Sequence, residues 1–212
     1  MPPRRCVLSL KSVGVAPCPD SLRAFLDEVK AIRREFVQPA DVVLETAPLM
    51  CRLLQNWESF LKDEHLQGQD EHYARNLVHA EQDGSMSLYS LVWRPGQWTP
   101  VHDHGAWGVV GVVKGALQER NYIRTDGRLR EDSGITLMRG GTSVLLPGTV
   151  TTFVPNPDHI HRAGVPRDMP ETVTLHLYGR NMDNYNVYDM ELGRRRNMGV
   201  CTDNDKSTAR GV

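Results

Sequence analysis

Two periodicities divide the chain. Between Leu22 and Leu61 apolar residues return every three or four positions, the spacing of one helix face. From about Glu71 to Tyr178 they come instead in short runs, often alternating, separated by glycine, proline and aspartate. The first pattern predicts two helices. One has Asp20 as N-cap, carries Leu22, Phe25, Leu26, Val29, Ile32 and Phe36, and ends before Pro39. The other is capped by Thr46, takes Pro48 into its first turn, and carries Met50, Leu53, Leu54, Trp57 and Leu61. The second pattern predicts ten strands: 72–81, 85–94, 99–104, 108–113, 117–123, 134–139, 142–146, 151–154, 159–165 and 172–178. So many short strands in about a hundred residues imply a barrel or double-sheet jelly roll with the helices packed on one flank. The first 15 residues read as an edge strand or loose arm, and residues 194–212, with Arg194-Arg195-Arg196 and the polar run Thr202 to Arg210, as a frayed tail. One domain over 1–212 is expected, helical over about 16–66 and β over about 71–180.

Composition narrows the partners. With 40% hydrophobic residues in 212 the chain can bury one sizeable core. Net charge is -1 and the basic residues are scattered, so neither nucleic acid nor a membrane surface is an expected partner. No apolar run approaches the roughly 20 residues that span a bilayer, and the run in MPPRRCVLSLKSVGV is short for a signal peptide, which predicts a soluble, cytoplasmic protein acting on small molecules. Cys6, Cys18, Cys51 and Cys201 form no C-x-x-C pair and read as ordinary thiols. A monomer and a small homo-oligomer fit equally well.

Candidate chemistry centres on GQWTPVHDHGAWGVVGVVKG, residues 96–115. A single strand histidine is ordinarily a surface or hydrogen-bonded core residue. His102 and His104, however, alternate onto one face of a strand and can reach one metal ion. Gly96, five residues, His102, one residue, His104, three residues, Gly108, six residues, Gly115 repeats the spacing of the first cupin motif, with Gly108 where that motif has glutamate. Gly141, five residues, Pro147 fits the start of the second motif, whose glycine and histidine do not follow at the usual spacing; His159-Ile160-His161 is the source left for a third ligand. Three neutral imidazoles suit iron, copper, zinc or nickel, leave one side of the ion open, and retain its full charge for an anionic ligand such as a thiolate or enolate. A structural zinc site is the plainer alternative. In TVTLHLY, Thr174, His176 and Tyr178 share one strand face, either as a cross-strand polar ladder or as a relay fixing the Tyr178 hydroxyl. Arg75, in HYARNLV, is a solvated strand charge or, facing inward, a carboxylate clamp.

Taken together, YARNLV, PGQWTPVHDH, the W-G after it, the closing K-G, an H-R pair and TLHLY resemble the cysteine dioxygenase type I family, cupins that use mononuclear non-haem Fe(II) to oxidise thiols; the likeness spans about residues 73–178. The resemblance implies a mainly β cupin jelly-roll barrel with N-terminal α-helices on one flank. It implies Fe(II) on His102, His104 and His161, since His161-Arg162 matches the family's H-R pair and His159 falls on a non-ligand position. It makes Thr174, His176 and Tyr178 the counterpart of the family's catalytic serine-histidine-tyrosine row, and Arg75 and Tyr73 the substrate-binding pair. The implied reaction takes L-cysteine or 3-mercaptopropionate with O2 to the sulfinic acid. Two departures stand out. Mammalian members carry, where this chain has Gly108, a cysteine cross-linked to the tyrosine, so Tyr178 is expected unmodified. The PGQ-x-TPVHDH context resembles bacterial enzymes preferring 3-mercaptopropionate, many of which have glutamine in place of Arg75. The alternatives are another cupin activity, a carbon dioxygenase or isomerase, and a non-catalytic metal-dependent binding module; Arg75 and the TLHLY row argue against the first.

Overall fold

The structure, a computed structural model, describes residues 21–127, 131–155, 159–200 and 202–203. The expected cap Asp20, the N-terminal arm, most of the polar run after residue 202, and Cys6, Cys18 and Cys201 lie outside these residues.

Two helices open the described chain. α1, Ser21–Glu35, buries Phe25, Leu26 and Val29, the stripe its period requires. α2 runs Pro39–Leu54, beginning well before the expected cap. Pro39 occupies its first turn, where a missing N–H costs nothing, and Thr46 lies buried in mid-helix. Pro48 is interior rather than first-turn. It is tolerated because Pro48 and Leu44, whose carbonyl the ring deprives of a partner, both face solvent. Trp57, assigned to this helix from its spacing, belongs instead to a short 3-10 turn, Trp57–Ser59.

Eleven strands follow among the described residues: β1 Ala74–Ala80, β2 Ser87–Trp93, β3 His102–Asp103, β4 Gly108–Lys114, β5 Leu117–Arg124, β6 Leu137–Leu145, β7 Val150–Phe153, β8 Ile160–Gly164, β9 Thr172–Tyr178, β10 Asn184–Asp189 and β11 Arg194–Gly199. They form one five-stranded sheet, β1-β2-β9-β4-β7, and one six-stranded sheet, β11-β10-β3-β8-β5-β6, antiparallel throughout. This is the mainly β, double-sheet jelly roll with flanking helices that the sequence implied.

Three differences from the expected strands have local causes. Residues 134–139 and 142–146 are not two strands but contribute to one, β6, because Gly140-Gly141 form a bulge in it, opposite the step from Arg120 to Tyr122 of β5, and not a turn. The expected strand 99–104 is reduced to His102–Asp103, although Thr99 still donates its N–H to Ala163 O at 2.8 Å. Residues 194–199, expected as tail, pair with β10 as an edge strand, and the Arg195 guanidinium reaches Asp132 at 2.8 Å.

The central strands of the five-stranded sheet, β2, β9 and β4, are buried on both faces. On β9, Val173, Leu175 and Leu177 point to the helices while Thr174, His176 and Tyr178 point inward between the sheets. α2 lies so close to β4 that a Cβ at Gly111 would sit 2.8 Å from Leu54 Cδ1 and 3.1 Å from Met50 Cγ. That packing holds the sheet from behind, and the inward faces of β2, β4 and β9 become a fixed wall. No described helix is long and apolar enough to cross a membrane.

Candidate functional site

β3 and β8 run antiparallel with His102 directly opposite His161, and His104 follows two positions on, so all three imidazoles enter the same space between the sheets. One nitrogen from each lies within 4.8 Å of the others, and His102 Nε2 stands 3.2 Å from His104 Nε2. All three side chains are buried.

The protonation pattern fits a metal. His102 donates its Nδ1–H to Pro100 O at 3.0 Å, because a carbonyl can only accept, and its Nε2 lone pair is left facing the cluster. His161 Nδ1 is 2.6 Å from Glu119 Oε1, while His161 Nε2 is buried with no hydrogen-bond partner. Burial lowers the pKa of His102 and His104 well below the ordinary imidazole value and that of His161 to about 3, so the cluster holds neutral donors. Burial raises the Glu119 carboxyl, with His159 and His102 opposing; a cation on the imidazoles favours its ionised form. A buried, orphaned imidazole nitrogen facing two others is what a divalent ion of the nitrogen-preferring series would satisfy.

Gly108 explains why the set has no carboxylate. A Cβ there would collide with the ring of Phe153, the cross-strand partner on β7, and that ring is stacked on His104 at 4.6 Å between centroids. The space a glutamate would use is therefore occupied by an aromatic wall. On its other side Gly108 pairs with Tyr178, so position 108 offers the phenol no thiol. Gly108→Glu is expected to bring no fourth ligand and to lower the melting temperature by roughly 5 °C through overpacking. Thermal unfolding together with metal analysis checks this, and a tighter metal site with unchanged Tm would contradict it.

Seven of the eight residues singled out from sequence line one small cavity: Tyr73, Arg75, His102, His104, His161, His176 and Tyr178. Thr174 stands behind, with Oγ1 2.8 Å from His176 Nε2, and His176 Nδ1 lies 3.1 Å from Tyr178 Oη. Burial lowers the His176 pKa to about 3 and raises that of Tyr178, so both stay neutral. Arg75 faces inward. Its Nη2 donates to Met182 O at 3.0 Å, its guanidinium lies 4.7 Å above the Tyr89 ring, and its Nη1 is buried without a partner. Tyr73 stacks on Trp93 with centroids 4.4 Å apart. His159, the other candidate in its pair, stacks on Phe153 at 4.9 Å and reaches toward Glu119, not the His102–His104 pair.

Several neighbours carried no usable signal. Glu119 lies 42 residues before the imidazole it meets, and nothing near it in sequence marks it. Asp203, read as tail, accepts the Arg75 N–H at 2.8 Å and the Gln69 amide at 2.7 Å, and returns its own N–H to Arg75 O at 2.8 Å. It thereby pins the edge strand at the residue whose guanidinium enters the cavity.

Among solved structures, a cupin-like protein from Thermotoga maritima is 17% identical over 72% of this chain and 98% of its own, with a TM-score of 0.41. An acetylacetone dioxygenase from Acinetobacter johnsonii is 14% identical over 66% of this chain and 82% of its own, with a TM-score of 0.43. No activity passes to this chain from likeness at that level. The family comparison reaches further: the model of cysteine dioxygenase type I matches residues 18–191, which include both helices, the histidine cluster, Arg75 and the Thr174–Tyr178 row. The chain belongs to the cysteine dioxygenase type I family.

Proposed function

We propose that this protein is a mononuclear non-haem Fe(II) thiol dioxygenase that converts a small carboxylate-bearing thiol, L-cysteine or 3-mercaptopropionate, with O2 into the sulfinic acid. The observation that carries this reading is the convergence on one cavity of three neutral imidazoles, a buried guanidinium with a free Nη1, and a neutral phenol. His102, His104 and His161 would hold the iron, which when bound supplies the redox chemistry joining dioxygen to sulfur. The overall change, RS⁻ + O2 → RSO2⁻, balances without an external reductant.

The remaining groups bind and orient. Arg75 Nη1 is the donor for the substrate carboxylate, and the buried setting strengthens that contact relative to water. Tyr73 and Trp93, stacked on each other, form an aromatic wall that helps exclude solvent. Tyr178 lines the cavity with Arg75 and the imidazoles, and its hydroxyl is held by His176, which Thr174 holds in turn. Tyr178→Phe is expected to lower kcat roughly tenfold while KM changes little, because a donor used mainly in the oxygenation step is lost and the carboxylate contact is kept. Steady-state oxygen uptake separates the two; a large rise in KM with unchanged kcat would contradict that role.

Oxygen uptake by Fe(II)-loaded protein offered cysteine, 3-mercaptopropionate, mercaptosuccinate and cysteamine tests the reading. Turnover is expected with a carboxylated thiol and weakly, if at all, with cysteamine, which gives Arg75 nothing to bind. Uptake with none of the four despite bound iron would contradict it and favour a binding module or a carbon dioxygenase.

A further inference from the structure

Behind the hydroxyl-imidazole-phenol row stands a residue that the sequence reading did not mark. Trp93, at the end of β2 and fully buried, points its indole Nε1 at Thr174 Oγ1, 2.9 Å away. β2 and β9 are hydrogen-bonded neighbours with Leu91 opposite Thr174, so the contact is diagonal across the pair. An indole N–H only donates. The chain of contacts therefore begins with a donor of fixed sense: Trp93 to Thr174 at 2.9 Å, Thr174 with His176 Nε2 at 2.8 Å, and His176 Nδ1 with Tyr178 Oη at 3.1 Å.

We propose that Trp93 is a positioning residue that fixes the direction of this row, holding His176 in its Nδ1–H tautomer and leaving the Tyr178 hydroxyl proton free to be donated into the cavity. The proposal rests on the reading above that the cavity holds the substrate. Two directions are possible in principle. In one, Thr174 donates its proton to His176 Nε2, His176 donates Nδ1–H to Tyr178 Oη, and the phenol proton points away from the row. In the other, the phenol donates to Nδ1 and Nε2–H donates to Thr174, which then accepts from both Trp93 and His176. Its own proton, on a fully buried hydroxyl, would have no acceptor among the contacts Thr174 makes. Stranding a buried hydroxyl proton disfavours the second direction by roughly 5- to 150-fold.

Trp93 supports the first direction in two ways. Donation into Oγ1 polarises the Thr174 hydroxyl toward giving its own proton onward. The indole also fills the space from which a water could accept that proton and release the constraint. Tyr73, stacked on the indole at 4.4 Å, holds the ring from the cavity side. Burial keeps His176 neutral, so its tautomer, rather than its charge, is the variable.

The test is ¹⁵N NMR of the imidazole nitrogens in the full-length chain loaded with diamagnetic Zn(II), comparing the wild type with Trp93→Phe, Thr174→Val and Thr174→Ser. The His176→Gln variant assigns the resonances. The wild type is expected to show His176 as a single Nδ1–H tautomer, Trp93→Phe and Thr174→Val a mixture, and Thr174→Ser the wild-type pattern. In the Fe(II) protein, Trp93→Phe is expected to lower kcat in proportion to the Nε2–H fraction seen in the spectra, roughly two- to fivefold, with KM within about threefold, since the donor is misdirected in that fraction and the carboxylate anchor is kept. An Nε2–H tautomer in the wild type, or an unchanged tautomer and kcat in both Trp93→Phe and Thr174→Val, would overturn the proposal. The spectra stand whether or not any thiol is turned over, so a wrong function and a wrong relay direction give different results.

Discussion

His161→Ala is expected to leave the protein folded and nearly metal-free after desalting, with at most about a tenth of an equivalent of iron and no measurable oxygen uptake. Two imidazoles, one on β3 and one just past its end, cannot hold a first-row divalent ion against dilution as three can, and the third, His161, is supplied by β8. Its partner gives a graded companion. Glu119→Gln keeps the shape but loses the charge that orients the imidazole at 2.6 Å, and is expected to weaken metal affinity about 10- to 100-fold. His159→Ala, which removes a ring stacked on Phe153, is expected to retain its iron. Metal analysis of the three purified variants makes the comparison. Full iron in His161→Ala with loss in His159→Ala would transfer the ligand role to the neighbouring histidine.

The second large effect belongs to Arg75. A buried guanidinium with a free Nη1 is costly in the absence of an anion, and a substrate carboxylate answers that cost. Arg75→Ala is expected to lower kcat/KM for a carboxylated thiol about 10- to 150-fold, nearly all of it through KM, the worth of one charge-assisted contact. Arg75→Lys is expected to recover only part, since an ammonium cannot both reach Met182 O and keep the planar fork over Tyr89. The residual slow turnover of cysteamine should be unaffected. Equal losses for thiols with and without a carboxylate would mean that Arg75 supports the fold of the pocket, not the substrate.

How far the sequence carried this picture depends on the range of the interactions concerned. Residues that act through a local alternation were legible: His102 and His104, two positions apart, enter the same cavity although β3 ends between them, and the strand period of two places Thr174, His176 and Tyr178 of β9 in a row. The buried outer face of β9 was legible as Val173, Leu175 and Leu177, and the helical stripe that covers its sheet as Met50, Leu53 and Leu54. What failed was of two kinds. β11 was missed because an edge strand carries charged residues that blunt further pairing, so RRRNMG lacks the apolar alternation that marks a strand. β10, which lies between β11 and β3, does alternate in NYNVYD, but over a run too short and asparagine-rich to stand out. Glu119, Trp93 and Asp203 were missed because each acts through a partner distant in sequence, and a carboxylate or an indole alone has no spacing to read. Gly108 lies between these cases. Its departure from the motif was visible, but its cause, the Phe153 ring across the strand pair, was not.

The most direct measurement is a single-turnover experiment under ¹⁸O2 with Fe(II)-loaded protein and 3-mercaptopropionate or cysteine, following oxygen uptake and the mass of the product together. The expected result is one O2 consumed per sulfinate formed, with both labelled atoms in the sulfinate group. A product carrying one labelled atom or none, or iron-bound protein that consumes oxygen only with a carbon acid such as a β-diketone, would contradict thiol dioxygenation at the His102, His104 and His161 centre.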